Sequence, residues 1–311
     1  METLSNIKNK YLIGKESEFG TMPTITQLDF GYVQTISIEE AENTEEVSAI
    51  NTAHTLAELD DDLYNVSGTI TTKLSHPSIA NILEALCGKI TEDDPTEGKY
   101  TIETDPVTSD DLSYSMKVNT ETGKTLELVG ICFTAGEITI ERDGSTEVSL
   151  DYVCKKVSPA TETLDPETPV GKLYRGLDAC VTYDGEETRL EDFSISLDWN
   201  YDEADSRGIE DVDAGERRLI QRIIRNQLNL TGSFTSHMDS NIDTGYEDDR
   251  DNVSIVFTLS RGEDNEQVFT IENAKVNTRS RDLETGDGKK LISCDFVGID
   301  LSVEGDLYSS S

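Results

Sequence analysis

Polar and apolar residues alternate with period two over long stretches of this chain, and that period predicts β-strands with one dry and one wet face. Between Tyr64 and Leu74 the polar row is Asn65, Ser67, Thr69, Thr71 and Lys73. Between Leu228 and Met238 it is Asn229, Thr231, Ser233, Thr235 and His237. Phe193, Ile195, Leu197 and Trp199 alternate in the same way with Ser194, Ser196 and Asp198. A helical spacing occurs after Leu74, where Ile79, Ile82, Leu83 and Leu86 fall on one face. Ser75 is placed to cap it, Pro77 sits in its first turn and Gly88 ends it, so one short amphipathic helix is predicted near 76–88. The expected fold class is mainly β.

The strand patterns recur in the same order. Lys10–Gly14 resembles Lys172–Gly176, and Tyr32–Glu39 resembles Phe193–Asn200. Tyr64–Leu74 matches Leu228–Met238, with Asn65 against Asn229 and Gly68 against Gly232. Tyr114, Met116 and Val118 stand against Ile255, Phe257 and Leu259, and Leu126 and Leu128 against Phe269 and Ile271. Asp151–Val153 matches Asp295–Val297. Collinear matches of this kind point to a tandem duplication. The expected division is a first domain at 1–158, a Pro-rich linker at 159–171 and a second domain at 172–311. The second lacks the helix, and Gly305–Ser311 reads as a frayed tail. After the helix an acidic loop, Thr91–Pro106, is expected.

Charge changes the picture most. The 311 residues include 63 acidic and 26 basic ones, a net charge of -37. Two readings follow: a protein from a high-salt environment, where the screening length falls to about 3 Å at 1 M salt, or a surface that repels polyanions. Binding nucleic acid through a basic footprint is disfavoured. Two long connections differ in sign. Residues 39–62 carry Glu45, Glu46, Asp60 and Asp61 among other acids, with no Lys or Arg. Residues 201–226 contain Arg217, Arg218, Arg222 and Arg225. Three readings of the arginines stand: the solvated face of a short helix, a phosphate site, or a subunit interface. The last is favoured, because arginine pairs in plane with carboxylates and such pairing fixes register between units.

Catalytic and cofactor patterns are not found. The three histidines form no metal pattern, Gly123–Thr125 reads as a hairpin turn, and the Asp-rich stretches lack the spacing of a calcium loop. No metal and no cofactor is expected. The five cysteines contain no C-x-x-C pair and read as buried free thiols. No apolar stretch is long enough to span a membrane, and Met1–Gly14 carries no apolar core of signal-peptide length.

The opening Tyr11-Leu-Ile-Gly-Lys-Glu-Ser-Glu-Phe-Gly-Thr21 resembles that of major tail tube proteins of tailed viruses. So does the order that follows: a long strand pair, the glycine-containing strand around Gly68, the helix ending Leu-Cys-Gly88, and the strands Thr125–Gly130 and Val148–Val153. The resemblance implies two tandem β-sandwich domains whose strands close a β-barrel between subunits. It implies rings stacked into a tail tube, with double-stranded DNA passing non-specifically through the lumen. The partners it implies are other copies of the chain, tail completion proteins and tail tip proteins, with no membrane. The location it implies is the virion tail, assembled in host cytoplasm. Family rings commonly hold six domains, so a two-domain chain implies a trimer with approximate sixfold symmetry. Candidate inter-ring contacts are the four arginines and Glu45, Glu46, Asp60 and Asp61. Candidate lumen residues are Asn65, Ser67, Thr69, Thr71, Asn229, Thr231, Ser233 and Thr235, joined by Asp192, Ser194, Ser196 and Asp198. The wet faces line either the lumen or the outside of the tube. The alternatives from other classes are a secreted or surface β-sandwich adhesin of a salt-loving organism, and a carbohydrate-active enzyme.

Overall fold

A computed structural model describes residues 11–25, 27–47, 58–88, 90–94, 99–104, 108, 110–119, 124–161, 164, 171–183, 186–202, 207–209, 218–220, 222–237, 253–260, 266–282 and 291–306. The N-terminal half begins with β1 (Tyr11–Lys15), β2 (Tyr32–Ile36), β3 (Glu39–Val47) and β4 (Glu58–Lys73). The helix α1 (His76–Cys87) follows, then β5 (Ile90–Asp94) and β6 (Lys99–Glu103). The half closes with β7 (Tyr114–Asn119), β8 (Thr125–Glu141), β9 (Glu147–Cys154) and β10 (Lys156–Ala160). The C-terminal half contains β11 (Ala179–Tyr183), β12 (Glu186–Asp202), β13 (Arg207–Ile209), β14 (Arg218–Ile220) and β15 (Ile224–His237). It ends with β16 (Val253–Ser260), β17 (Glu266–Asp282), β18 (Leu291–Gly298) and β19 (Asp300–Asp306). The molecule is mainly β, with one short helix and a large antiparallel sheet.

One bent strand organises each half. The first part of β8 pairs with β7 and β10, and its second part, from Cys132 on, pairs with β9. The first part of β17 pairs with β16 and β19, and its second part, from Lys275 on, pairs with β18. A left-handed residue lies just before each change of partner: Gly130 (φ 69) in β8 and Asn273 (φ 55) in β17. A bulge follows at Thr134 and at Asn277. Both devices turn a strand from one layer into the next. Between the layers lie Phe30, Tyr114, Phe133 and Tyr152 in the first half and Phe193, Phe234, Phe257 and Phe296 in the second, all buried. Phe193 and Phe257 stack with centroids 4.2 Å apart and planes 6° from parallel. Burying each such ring is worth about 1.5–3 kcal/mol.

The helix lies where its sequence spacing puts it. The Ser78 hydroxyl accepts from the Ser75 N–H at 3.0 Å, and the Gly88 N–H closes the last turn on the Glu84 carbonyl at 3.0 Å. Its polar face is buried too, unlike that of an ordinary surface helix. Lys15 pairs with the buried Glu84 at 2.5 Å, and the Asn81 amide donates to the Asp29 carbonyl at 2.9 Å. Its end is held by the other half of the chain: the indole Nε1–H of Trp199 donates to the Leu86 carbonyl at 2.7 Å.

Several expected connections are strands instead. Most of the acidic stretch 39–62 is the β3–β4 hairpin. The acidic stretch after the helix holds the β5–β6 hairpin, and β6 pairs onward with β19 of the other half. The arginine-bearing stretch contains β14 and the start of β15 rather than a short helix, since Ile220, Ile223 and Ile224 favour extended chain and β14 has β13 to pair with. β10 runs through Pro159 and Ala160, two residues into the stretch read as linker, as proline permits on an edge strand. Residues 172–176 dock on the first half, through Ser75↔Leu173 and Ser145↔Arg175 bridges, and do not take the place of β1. β19 holds Gly305 and Asp306, which were expected to fray.

Candidate functional site

The feature with functional chemistry is one sheet face that crosses both halves. Its strands run β3, β4, β9, β8, β12, β15, β18, β17, with β2 continuing the line of β3 along β4. The halves join through β8 and β12, where Ala135–Glu141 pairs antiparallel with Asp192–Asp198. One line of directly opposed residues therefore crosses the whole sheet: Thr35, Thr71, Ser149, Glu137, Ser196, Thr231, Val297, Lys275.

The two faces of this sheet differ in kind. Tyr64, Val66 and Ile70 of β4, Ile138 and Ile140 of β8, Ile195 and Leu197 of β12, and Leu230 and Phe234 of β15 are buried. Their neighbours in sequence form the opposite, wet face. Asn65, Ser67, Thr69 and Thr71 lie on it half-buried, as do Thr231, Ser233 and Thr235, with Asn229 exposed. Asp192, Ser194, Ser196 and Asp198 lie on the same face between them. All the residues that the alternation singled out as polar rows thus share one surface.

Hydroxyls on this face satisfy one another along the rungs. Thr69 Oγ1 donates to Asp151 Oδ1 at 2.7 Å, Ser194 and Ser233 hydroxyls lie 3.0 Å apart, and those of Thr235 and Ser293 2.9 Å apart. Thr278 donates to Asp295. Carboxylates project between them: Glu137, Glu147, Asp151, Asp192, Asp198 and Asp295 are exposed. Lysines on the face, among the described residues, stand toward its borders, Lys73 beside Glu147 and Lys275 on the last strand, and the His237 imidazole lies at a border as well. His237 Nε2 lies 2.5 Å from Glu191, which also holds Arg142 at 2.5 Å. The face is acidic and hydroxylic, and Tyr32, opposite Lys73, sets an aromatic ring at its border. It repels a polyanion, and its described residues form no row of phosphate contacts or stacked rings of the kind that holds nucleic acid.

The β8 and β9 contribution was not picked out from sequence. Ala135, Glu137, Thr139 and Glu141 alternate with Gly136, Ile138 and Ile140, so the signal was present. Two glycines of the sheet have a steric reason. A Cβ on Gly68 would stand 2.5 Å from the Tyr152 hydroxyl, and one on Gly232 would stand 2.3 Å from Phe296 Cζ.

The basic cluster divides. Arg217 lies outside the described residues. Arg218 is in β14, paired through Ile209. Arg222 is exposed and pairs with Asp110 of its own chain at 3.1 Å. Such an exposed pair is worth about 0–1 kcal/mol and leaves Arg222 accessible. Arg225 is not a surface group at all. It is 3% exposed, its Nη2 donates to the Ala85 carbonyl at 2.8 Å, and its guanidinium lies 5.8 Å from the centre of the Trp199 ring. The reason is that α1 leaves its last carbonyls pointing at β15, and a cation there completes them and opposes the helix dipole. It is thereby removed from the candidate inter-ring contacts. Glu45 and Asp60 face each other across the β3–β4 ladder, with Glu46 opposite Leu59 and Asp61 opposite Thr44.

Nucleophilic and metal chemistry finds little support. Burial pushes the Cys87, Cys132 and Cys154 thiols up to about 12. Among the described residues, no group of three His, Cys, Asp or Glu side chains is placed to hold a metal ion. No helix among them is long and apolar enough to cross a membrane.

A family model described as phage tail tube protein matches residues 7–305. No curated protein matches the chain.

Proposed function

The chain belongs to the phage tail tube protein family and is a structural component of the virion tail, and from that premise we propose that three copies close into a ring whose inner wall is the acidic, hydroxyl-rich sheet face. Tail tube proteins polymerise with themselves; the stoichiometry, the duplication and the barrel are our reading. The family assignment displaces the adhesin and carbohydrate-enzyme alternatives.

The observation that carries the proposal is the continuous line from Thr35 to Lys275. Two four-stranded arrays already join edge to edge inside one chain through β8 and β12. Repeating that joint between chains gives three chains a closed barrel of roughly 24 strands, and barrels of 16–18 strands already leave an aqueous channel. Closure also removes the two outer edges of this sheet. The wet face then faces the channel. Its carboxylates repel passing DNA, and its hydroxyls are engaged with one another.

Duplication is supported by coincidences of backbone irregularity. Gln34 bulges against β4 where Glu191 bulges against β15. Val129–Gly130 of β8 bulges opposite Ser115 where Glu272–Asn273 of β17 bulges opposite Ser254, and Thr134 and Asn277 bulge further along the same two strands. Gly130 and Asn273 share the left-handed conformation, and Gly68 and Gly232 make room for Tyr152 and Phe296. These marks favour a register different from that read in the sequence. Thr35–Ala41 stands against Asp192–Asp198, Met116 and Val118 against Ile255 and Phe257, and Tyr11–Ile13 against Val181–Tyr183. Leu126, Leu128 and Asp151–Val153 keep the partners assigned from sequence.

Stacking between rings through Arg217, Arg218 and Arg222 against Glu45, Glu46, Asp60 and Asp61 remains part of the proposal. Electron microscopy of the purified protein in high salt tests the whole. Tubes whose rings average with threefold symmetry and approximate sixfold symmetry are expected. Rings of six full-length chains, or dispersed monomers at all salt concentrations, would refute it.

A further inference from the structure

Resting on the ring reading above, we infer that residues 278–282 of β17 pair antiparallel with residues 37–41 of the next chain, in the register of the internal β8–β12 joint. Among the described residues, the second part of β17 pairs with β18 alone, and β2 and β3 pair with β4 alone. These are the two outer edges of the continuous sheet.

The register follows from shared landmarks. Ala135 lies opposite Asp151 immediately after the bulge at Thr134, and Thr278 lies opposite Asp295 immediately after the bulge at Asn277. Thr278 thus stands where Ala135 does. On the other edge, Asp192 lies opposite Thr235 after the bulge at Glu191, and Thr35 lies opposite Thr71 after the bulge at Gln34. Thr35 thus stands where Asp192 does. Inside the chain, Gly136 faces Leu197, Glu137 faces Ser196 and Ile138 faces Ile195. The same register between chains sets Arg279 opposite Glu40, Ser280 opposite Glu39 and Arg281 opposite Ile38.

Charge supports that match independently of register. β17 carries Arg279 and Arg281 in an otherwise arginine-poor protein, and the opposing edge carries Glu39 and Glu40. Glu40 is exposed, and its carboxylate accepts from the Tyr64 hydroxyl at 2.8 Å, which fixes it at the edge. Arg281, two residues beyond Arg279, lies diagonal to Glu40, within reach of a long side chain. The internal joint has apolar residues at these positions because it forms once, within one folding chain. An edge that must stay solvated until another chain arrives needs charge to avoid indiscriminate pairing, and opposite charges on the two edges select the correct partner.

Paired cysteines read the register directly. Ser280→Cys with Glu39→Cys, in a Cys180→Ser background, is expected to give covalent dimers and trimers when assembled tubes are oxidised. Asp282→Cys with Glu39→Cys is expected to give almost none, since diagonal residues exceed the roughly 7 Å that a disulfide spans between Cα atoms. Arg279→Glu is expected to reduce tube yield by about tenfold or more, equivalent to about 1.4 kcal/mol per joint, and Glu40→Arg in the same chain to restore it. Tubes that form without the 39–280 cross-link, or that cross-link equally at 39–282, overturn the register while leaving the ring reading intact. Absence of tubes from the unmodified protein overturns both.

Discussion

Replacing Arg225 with methionine is expected to change stability by no more than about 1–2 kcal/mol, while replacing it with alanine is expected to cost about 3 kcal/mol. The native guanidinium gains a charged hydrogen bond to the Ala85 carbonyl at 2.8 Å, worth about 1.5–3 kcal/mol. Its position over Trp199 adds about 0.5–2 kcal/mol. Against this stands the removal of a cation from water, effectively several kcal/mol. Its Nη1 has no hydrogen-bond partner among the described residues, a further cost of about 1–3 kcal/mol. The ionisable groups that face it are Cys87, Cys132 and Tyr114. Burial pushes both thiols up to about 12 and the phenol well above its ordinary value, so none supplies a countercharge at neutral pH. The gains and costs nearly cancel. Methionine keeps most of the stem's packing and removes both sides of that balance, whereas alanine opens a cavity costing about 2–5 kcal/mol. Trp199 is the chain's single tryptophan, so its fluorescence during urea unfolding in high salt reports on this joint directly. Equal destabilisation by both variants would show that the charge itself holds the helix end, and would refute the reasoning.

Other consequences can be checked as directly. In the folded protein at pH 8 one thiol, the half-buried Cys180, is expected to react quickly with a thiol reagent, and all five after unfolding; fast labelling of several would contradict the burial. Because burial raises the folded values of Cys87, Cys132 and Cys154 from 9.0 to about 12, their contribution is fully present below pH 9 and is lost as pH rises toward 12. The slope is up to about 1.36 kcal/mol per pH unit for each thiol, measurable as a falling urea midpoint. Gly232→Ala would set a Cβ 2.3 Å from Phe296 Cζ and 2.6 Å from the Ser194 carbonyl, so a loss of about 1–3 kcal/mol is expected. Adding Phe296→Leu should make the pair less destabilising than the sum of the single changes, and simple additivity would count against the clash. Placing lysine at both Ser196 and Thr231, which face each other across β12 and β15, should leave tubes intact but make them bind labelled duplex DNA at low salt. Unchanged anisotropy of the duplex would argue that this face is not the channel wall.

The alternation of Asn65 to Thr71 and of Asn229 to Thr235 was enough to assign those strands and to sort their faces, because a strand's side-chain period is a local property of backbone geometry. The helix was equally legible, since Ser75, Pro77, the apolar spacing and Gly88 act within one turn of where they stand. The acidic stretch 39–62 was misread as a loop because nine acids hide the pairing of β3 with β4 when only local pattern is considered. A recurrence of strand patterns was visible, but Tyr32–Glu39 was set against Phe193–Asn200, whereas under the proposed duplication the bulges at Gln34 and Glu191 set Thr35 against Asp192.

Arg225 lay beyond reach for a different reason. Nothing near it in sequence separates it from Arg222, three residues earlier, yet one stands in solvent beside Asp110 and the other lies under the end of a helix some 140 residues away. The sequence by itself determined which faces are wet, where the one helix sits and how acidic the whole is, since each depends on neighbours a few positions away. Only the tertiary structure decided that the wet faces of both halves form one surface, joined through β8 and β12. Strand order and register are set by contacts between residues far apart in the chain, and period-two patterning is silent about which edge meets which.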